Sequence, residues 1–111
     1  MIVAYESIKK RAGDTIQRRV TVTDADGVEI NLSSHTVVAA LVDSSGTEQV
    51  ALSEGSGIAK SGGKIDWTIT DEQSIDLDPG NYVLGVKVQH SDGREFTVAE
   101  IDIKILAQIV D

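Results

Sequence analysis

The amino-acid sequence predicts an all-β sandwich, and three observations point there. Apolar and polar residues alternate with a period of two in several short runs. Clusters of Gly, Asp and Ser separate those runs, with turn signals every ~8–12 residues, the spacing of a sandwich. Only one segment, 70–77, reads as helical, and Pro79 stops it.

The run "TIQRRVTVTD" places Ile16, Val20 and Val22 on one face and Gln17, Arg19 and Thr21 on the other. "TVVAALVD" (36–43) is β-branched and almost continuously apolar, the pattern of a central strand or one buried on both sides. "KIDWTIT" (64–70) puts Ile65, Trp67 and Ile69 inside, which makes Trp67 a core residue. "NYVLGVKVQH" (81–90) directs Tyr82, Leu84, Val86 and Val88 inward. In "REFTVAEIDIKIL" (94–106) the inward set changes from Phe96 and Val98 to Ile101, Ile103 and Ile105, so a β-bulge is expected at Ala99–Glu100. "TDEQSIDL" allows one helical turn near 71–76, capped by Thr70 or Asp71. Turns are expected at "DADG" (24–27), "DSSG" (43–46), "DPG" (78–80) and "SDG" (91–93), and "SEGSGIAKSGG" (53–63) reads as a mobile hairpin loop. Tyr82, just past Gly80, is placed to bury its ring and hydrogen-bond back to the turn.

With 111 residues, 41% of them hydrophobic, the chain suits one domain, residues 1–111, able to bury a core without staples. It has no Cys, which excludes disulfides, thiolate metal sites and Cys nucleophiles. The N-terminus does not read as a secretory signal, because its basic cluster Lys9–Arg11 follows the apolar run. No apolar run reaches the ~20 residues of a membrane-spanning helix, so no membrane partner is expected. The net charge is -8. Residues 1–42 balance five basic against five acidic groups, which leaves five basic against thirteen acidic in 43–111. Such a chain repels phosphate backbones, so no nucleic-acid partner is expected. The acidity reads first as a solubility device, and otherwise as an acidic face that meets a basic partner, with the Lys9–Arg11 and Arg18–Arg19 end as a candidate self-complement.

Each candidate for chemistry has a simpler explanation. Asp24, Asp26 and Gly27 begin like a calcium loop, but Val28-Glu29-Ile30 then follows as a strand pattern, so the segment reads as a hairpin turn. His35 and His90 are the only histidines, and a zinc site needs a third ligand. Ser91, His90 and Asp92 name the members of a hydrolytic triad, but neighbours on a strand end point apart. Asp71-Glu72 and Asp76/Asp78 crowd one exposed segment and do not face each other across a cleft. Glycan stacking would need exposed aromatics, and Tyr5 is the one candidate. No catalytic residue, metal ligand or cofactor site is assigned.

The order of these motifs carries a resemblance. A Gly-Asp strand start (Gly13-Asp14) is followed by Asp24, Asp26, Gly27, Leu32 and Val37, then a strand ending in Asp43 and Gly46. The last part is Leu77, Pro79, Gly80, Tyr82, Ser91, Asp92, Gly93 and Thr97. Over nearly the whole chain this resembles a family of small immunoglobulin-like domains of tailed bacteriophages and prophages, among them the N-terminal domain of upper baseplate proteins. The resemblance implies an immunoglobulin-like antiparallel β-sandwich of about seven to eight short strands. It also implies a non-enzymatic virion structural protein, tail- or baseplate-associated and assembled in the bacterial cytoplasm. The partners it implies are other virion proteins and the chain itself. The candidate assembly interface is the apolar termini, with Ile2, Tyr5, Leu106, Ile109 and Val110; the rival expectation is that these termini pair within the domain. The alternative function is a bacterial immunoglobulin-like adhesin or carbohydrate-binding module.

Overall fold

The structure, a computed structural model, describes residues 4–107. Its strands are β1 (Ala4–Arg11), β2 (Ile16–Thr21), β3 (Thr36–Asp43), β4 (Glu48–Glu54), β5 (Gly57–Ser61), β6 (Lys64–Ile69), β7 (Gly80–Gln89) and β8 (Glu95–Leu106). One helical turn, α1 (Asp71–Ser74), precedes β7. The strands follow the order β1-β8-β7-β3-β4-β5-β6-β2. β4 and β5 touch through only two parallel residue pairs, Ser53 with Gly57 and Glu54 with Ile58. At that corner the sheet folds over. A layer of β1, β8, β7, β3 and β4 thereby faces a layer of β5, β6 and β2, an immunoglobulin-like sandwich. All other pairings are antiparallel except β1 with β8.

The alternating residues fill the space between the layers. Ile16, Leu41, Ile65, Trp67, Ile69, Leu84, Ile101, Ile103 and Ile105 are all essentially inaccessible and belong to one core. Burial of large aliphatic side chains at ~1.5–3 kcal/mol each is what holds two otherwise half-wet sheets together. The open edges meet across the gap between layers, where Arg18 of β2 donates to Glu6 of β1 at 3.3 Å.

Most local expectations are met with small shifts; Phe96, expected inward, is instead 38% exposed, with the Arg94 guanidinium 5.8 Å from its ring centre. Thr70 caps α1 with a reciprocal capping box: the Gln73 N–H donates to the Thr70 hydroxyl, and the Thr70 N–H donates to the Gln73 side chain. Tyr82 is buried and donates from its hydroxyl to the Asp78 carbonyl at 2.6 Å. The "DADG" segment is a turn closed by Asp24, whose Oδ1 accepts from the N–H groups of Asp26 and Val28. The bulge in β8 falls one residue before the expected place. Val86 pairs with Ala99 and Lys87 with Thr97, so Val98 is the extra residue. Val98 and Ala99 are both buried, because their small side chains fit the core together, and Glu100 keeps its outward position opposite Gly85.

The expectation of a mobile loop over 53–63 needs correction. The segment contains β5, and its Ile58 is buried in the core and paired with Trp67. Glu54 fastens the corner: its carboxylate accepts from the Val37 N–H at 2.8 Å and pairs with Lys60 at 2.9 Å. Lys60 also donates to the His35 carbonyl.

Candidate functional site

The termini do not gather into one patch among the described residues. β1 and β8 run parallel, with Tyr5 beside Glu100 and Arg11 beside Leu106, so Tyr5 and Leu106 lie at opposite ends of the pair. Leu106 is half-buried, and its carbonyl accepts from the Ala12 N–H at 2.9 Å. Tyr5 is 74% exposed. Ile2, Ile109 and Val110 lie outside the described residues.

His35 and His90 come together, which their separation in sequence does not reveal. Their rings meet edge to face with centroids 4.6 Å apart. His90 Nδ1 lies 3.4 Å from Asp92 Oδ1, a long contact. Asp92 is committed to the β7–β8 turn: it accepts from the Arg94 N–H at 3.0 Å and from the Arg94 guanidinium at 2.7 Å. Those bonds, the backbone one first, hold its carboxyl below the ordinary range. The described residues contain no group of three side chains that could ligate a metal.

The feature that stands out is the outer face of the five-stranded layer. Its centre is built by cross-strand register: Ala51 of β4 lies beside Ala40 of β3, Ala40 beside Gly85 of β7, and Gly85 beside Glu100 of β8. Val38 and Val42 flank Ala40 along the strand, and Val83 flanks Gly85. Together they line an open trough of about 610 Å³. Val83, in its wall, is 37% exposed. Glu48, Glu95 and Glu100 rim the trough, with a single cation, Lys87.

The opposite layer has a different surface. Arg19 and Asp66 are direct cross-strand partners and bond at 2.7 Å, and Lys64 meets Glu29 at 2.9 Å. The hydrogen bond from Arg19 holds the Asp66 carboxyl below its usual range, and that from Lys64 does the same for Glu29. Charges there satisfy one another. Around the trough, Glu48, Glu95 and Glu100 make no ion pair among the described residues.

No protein-family model matches the chain, and no curated protein sequence matches it either. Among solved structures, CopC from Methylosinus trichosporium OB3b is similar at 16% identity and a TM-score of 0.51. The match covers 95% of this chain and 88% of that one. At that identity the likeness is one of β-sandwich fold.

Sequence reasoning missed the trough. Its signal was present in "TVVAALVD", whose continuous apolar pattern is that of a strand covered on both faces. Here the described residues cover only one face.

Proposed function

We propose that this chain is a non-enzymatic structural component of a tailed-bacteriophage or prophage particle, tail- or baseplate-associated, which assembles through protein–protein contacts on the outer face of the five-stranded layer. The observation that carries the reading is the apolar trough left open at the centre of that face. Open apolar surfaces rimmed by polar groups are among those that bind other proteins. The immunoglobulin-like sandwich offers a rigid frame for it, and the order of sequence motifs supports the phage class. Other virion proteins are the natural partners, met in the cytoplasm of the host bacterium.

The alternative, an adhesin or carbohydrate-binding module, draws on exposed Tyr5 beside Glu100 and Asp102. Trp67, the largest aromatic, is fully buried and gives it no support. The experiment is mass spectrometry of particles purified after inducing the bacterium that carries the sequence. Peptides of the chain at stoichiometric amounts support the reading. Clean particles without it, with the protein at the cell surface, refute it and favour the adhesin.

A further inference from the structure

We propose that the trough between β3, β4, β7 and β8 is the docking site for a basic segment of a different protein, one that sets a bulky apolar side chain over Ala40 and Gly85 between flanking Lys or Arg residues. This rests on the assembly reading above and names the partner's chemistry.

Gly85 is the first ground. A glycine inside a central strand weakens it by roughly 0.5–1 kcal/mol relative to alanine. Nothing in the backbone geometry or the space around it among the described residues requires one there. Its backbone lies outside the left-handed region, and a Cβ added to it would meet nothing within 4 Å. A strand glycine marks a bulge, a tight bend or a close approach by another molecule. The bulge of this ladder falls beyond Gly85, between the Val86 and Lys87 pairs, Gly85 itself keeps regular pairs with Ala40 and Glu100, and close approach is the reading we take.

The neighbours repeat the pattern. Ala51, Ala40 and Gly85 lie side by side on three adjacent strands. Strand interiors ordinarily favour β-branched and aromatic side chains at such positions. The three small residues make a floor, and Val38, Val42 and Val83 make walls. β3 thus has the composition of a strand covered on both faces, and its second cover is not supplied by the described residues.

Charge selects the occupant. The rim holds three carboxylates against one lysine, and further along β8 Asp102 and Lys104 offset each other. None of the rim acids is ion-paired among the described residues, whereas on the other layer Arg19 pairs with Asp66 and Lys64 with Glu29. A second copy set face to face would bring like charges together and put one hollow against another, leaving both floors unfilled. A partner with cations around a large apolar residue satisfies rim and floor at once.

The test uses the full chain, labelled with nitrogen-15, and a synthetic peptide with one tryptophan and two valines between lysines. The expected result is amide shifts centred on Ala40, Ala51, Val83 and Gly85, with affinity falling about tenfold from low to high salt. The counterpart with glutamates for lysines leaves the spectrum unchanged. Gly85→Leu keeps or raises the melting temperature and weakens the lysine peptide about tenfold or more, since its side chain lies across the floor. Absence of binding, shifts elsewhere, equal binding of both peptides, or unchanged binding by a folded Gly85→Leu overturns the proposal. So does a dimer in sedimentation that Gly85→Leu dissociates, because the occupant is then a second copy. Peptide binding without incorporation into particles would refute the phage reading alone; incorporation without peptide binding would refute this proposal alone.

Discussion

The same substitution, glycine to alanine, should have opposite effects at two positions. Gly63 begins the return into β6, where the segment after β2 crosses it. Val22 donates its N–H to the Gly63 carbonyl at 2.7 Å, and the Gly63 N–H donates to the Glu29 carboxylate at 2.9 Å. A Cβ at Gly63 would sit 2.3 Å from Glu29 Cγ and 2.5 Å from the Ile30 carbonyl oxygen. The second contact is backbone, and the first belongs to a side chain already fixed by Gly63 and Lys64. Overpacking of this kind costs ~1–3 kcal/mol. The reduced freedom of the unfolded chain returns ~0.4–1 kcal/mol. Gly63→Ala should therefore destabilise by about 1–2 kcal/mol and lower Tm by roughly 5–10 °C. At Gly85 the added methyl meets nothing, so only the favourable part remains. Gly85→Ala should leave Tm unchanged or raise it by about 2–4 °C. Differential scanning calorimetry on both variants decides the matter. A drop at Gly85 matching that at Gly63 would show that the glycine has a structural duty inside the domain, and the reasoning that assigns it to an external partner would fail.

Three other perturbations test the fold. Tyr82→Phe removes the bond to the Asp78 carbonyl and should cost about 1 kcal/mol in chemical denaturation; an unchanged midpoint would mean that this hydroxyl does not anchor the turn. Ser74 is fully buried, donates to the Asp14 carbonyl at 2.6 Å and accepts from the Gly13 N–H at 3.1 Å. Ser74→Ala should cost ~1–3 kcal/mol and speed hydrogen exchange at Gly13; exchange as slow as in the parent chain would contradict that account. The Ser45 hydroxyl, then the Thr47 N–H, holds the Asp43 carboxyl below its ordinary value of 3.8. A depressed folded pKa gives stability that is complete above the unfolded value and lost as pH falls through the folded one. Asp43→Asn should thus flatten the loss of stability below about pH 4; an acid limb as steep as before would locate the titration elsewhere.

What could be read in the sequence followed from local periodicity. β3, β6, β7 and the second half of β8 announce themselves because their inward residues recur every second position, β2 because Ile16 and Val20 share that phase, and Trp67 and Tyr82 follow from phase alone. β4 and β5 were hidden. "EQVALSE" turns only Val50 and Leu52 inward, and β5 has only Ile58 among Gly, Ala, Lys and Ser. β1 has a single buried aliphatic among its described side chains, Ile8, and gains its place by pairing with Ile103 at the far end of the chain. Such pairing is not local, so no window of sequence displays it. The trough was illegible for a related reason. Ala51, Ala40 and Gly85 are unremarkable in separate strands and become a floor only when register sets them in a row. The expected bulge missed by one residue because period counting cannot tell which of two small neighbours, Val98 or Ala99, joins the core; both do.

The most direct test of the central claim is incorporation into particles by the parent chain and by Gly85→Leu, measured side by side as copies per particle. The account predicts that the parent chain is present in fixed stoichiometry and that the equally folded variant is left in the supernatant. Equal incorporation of both chains would show that particle assembly does not use this face, and absence of both would show that the chain is not a virion component.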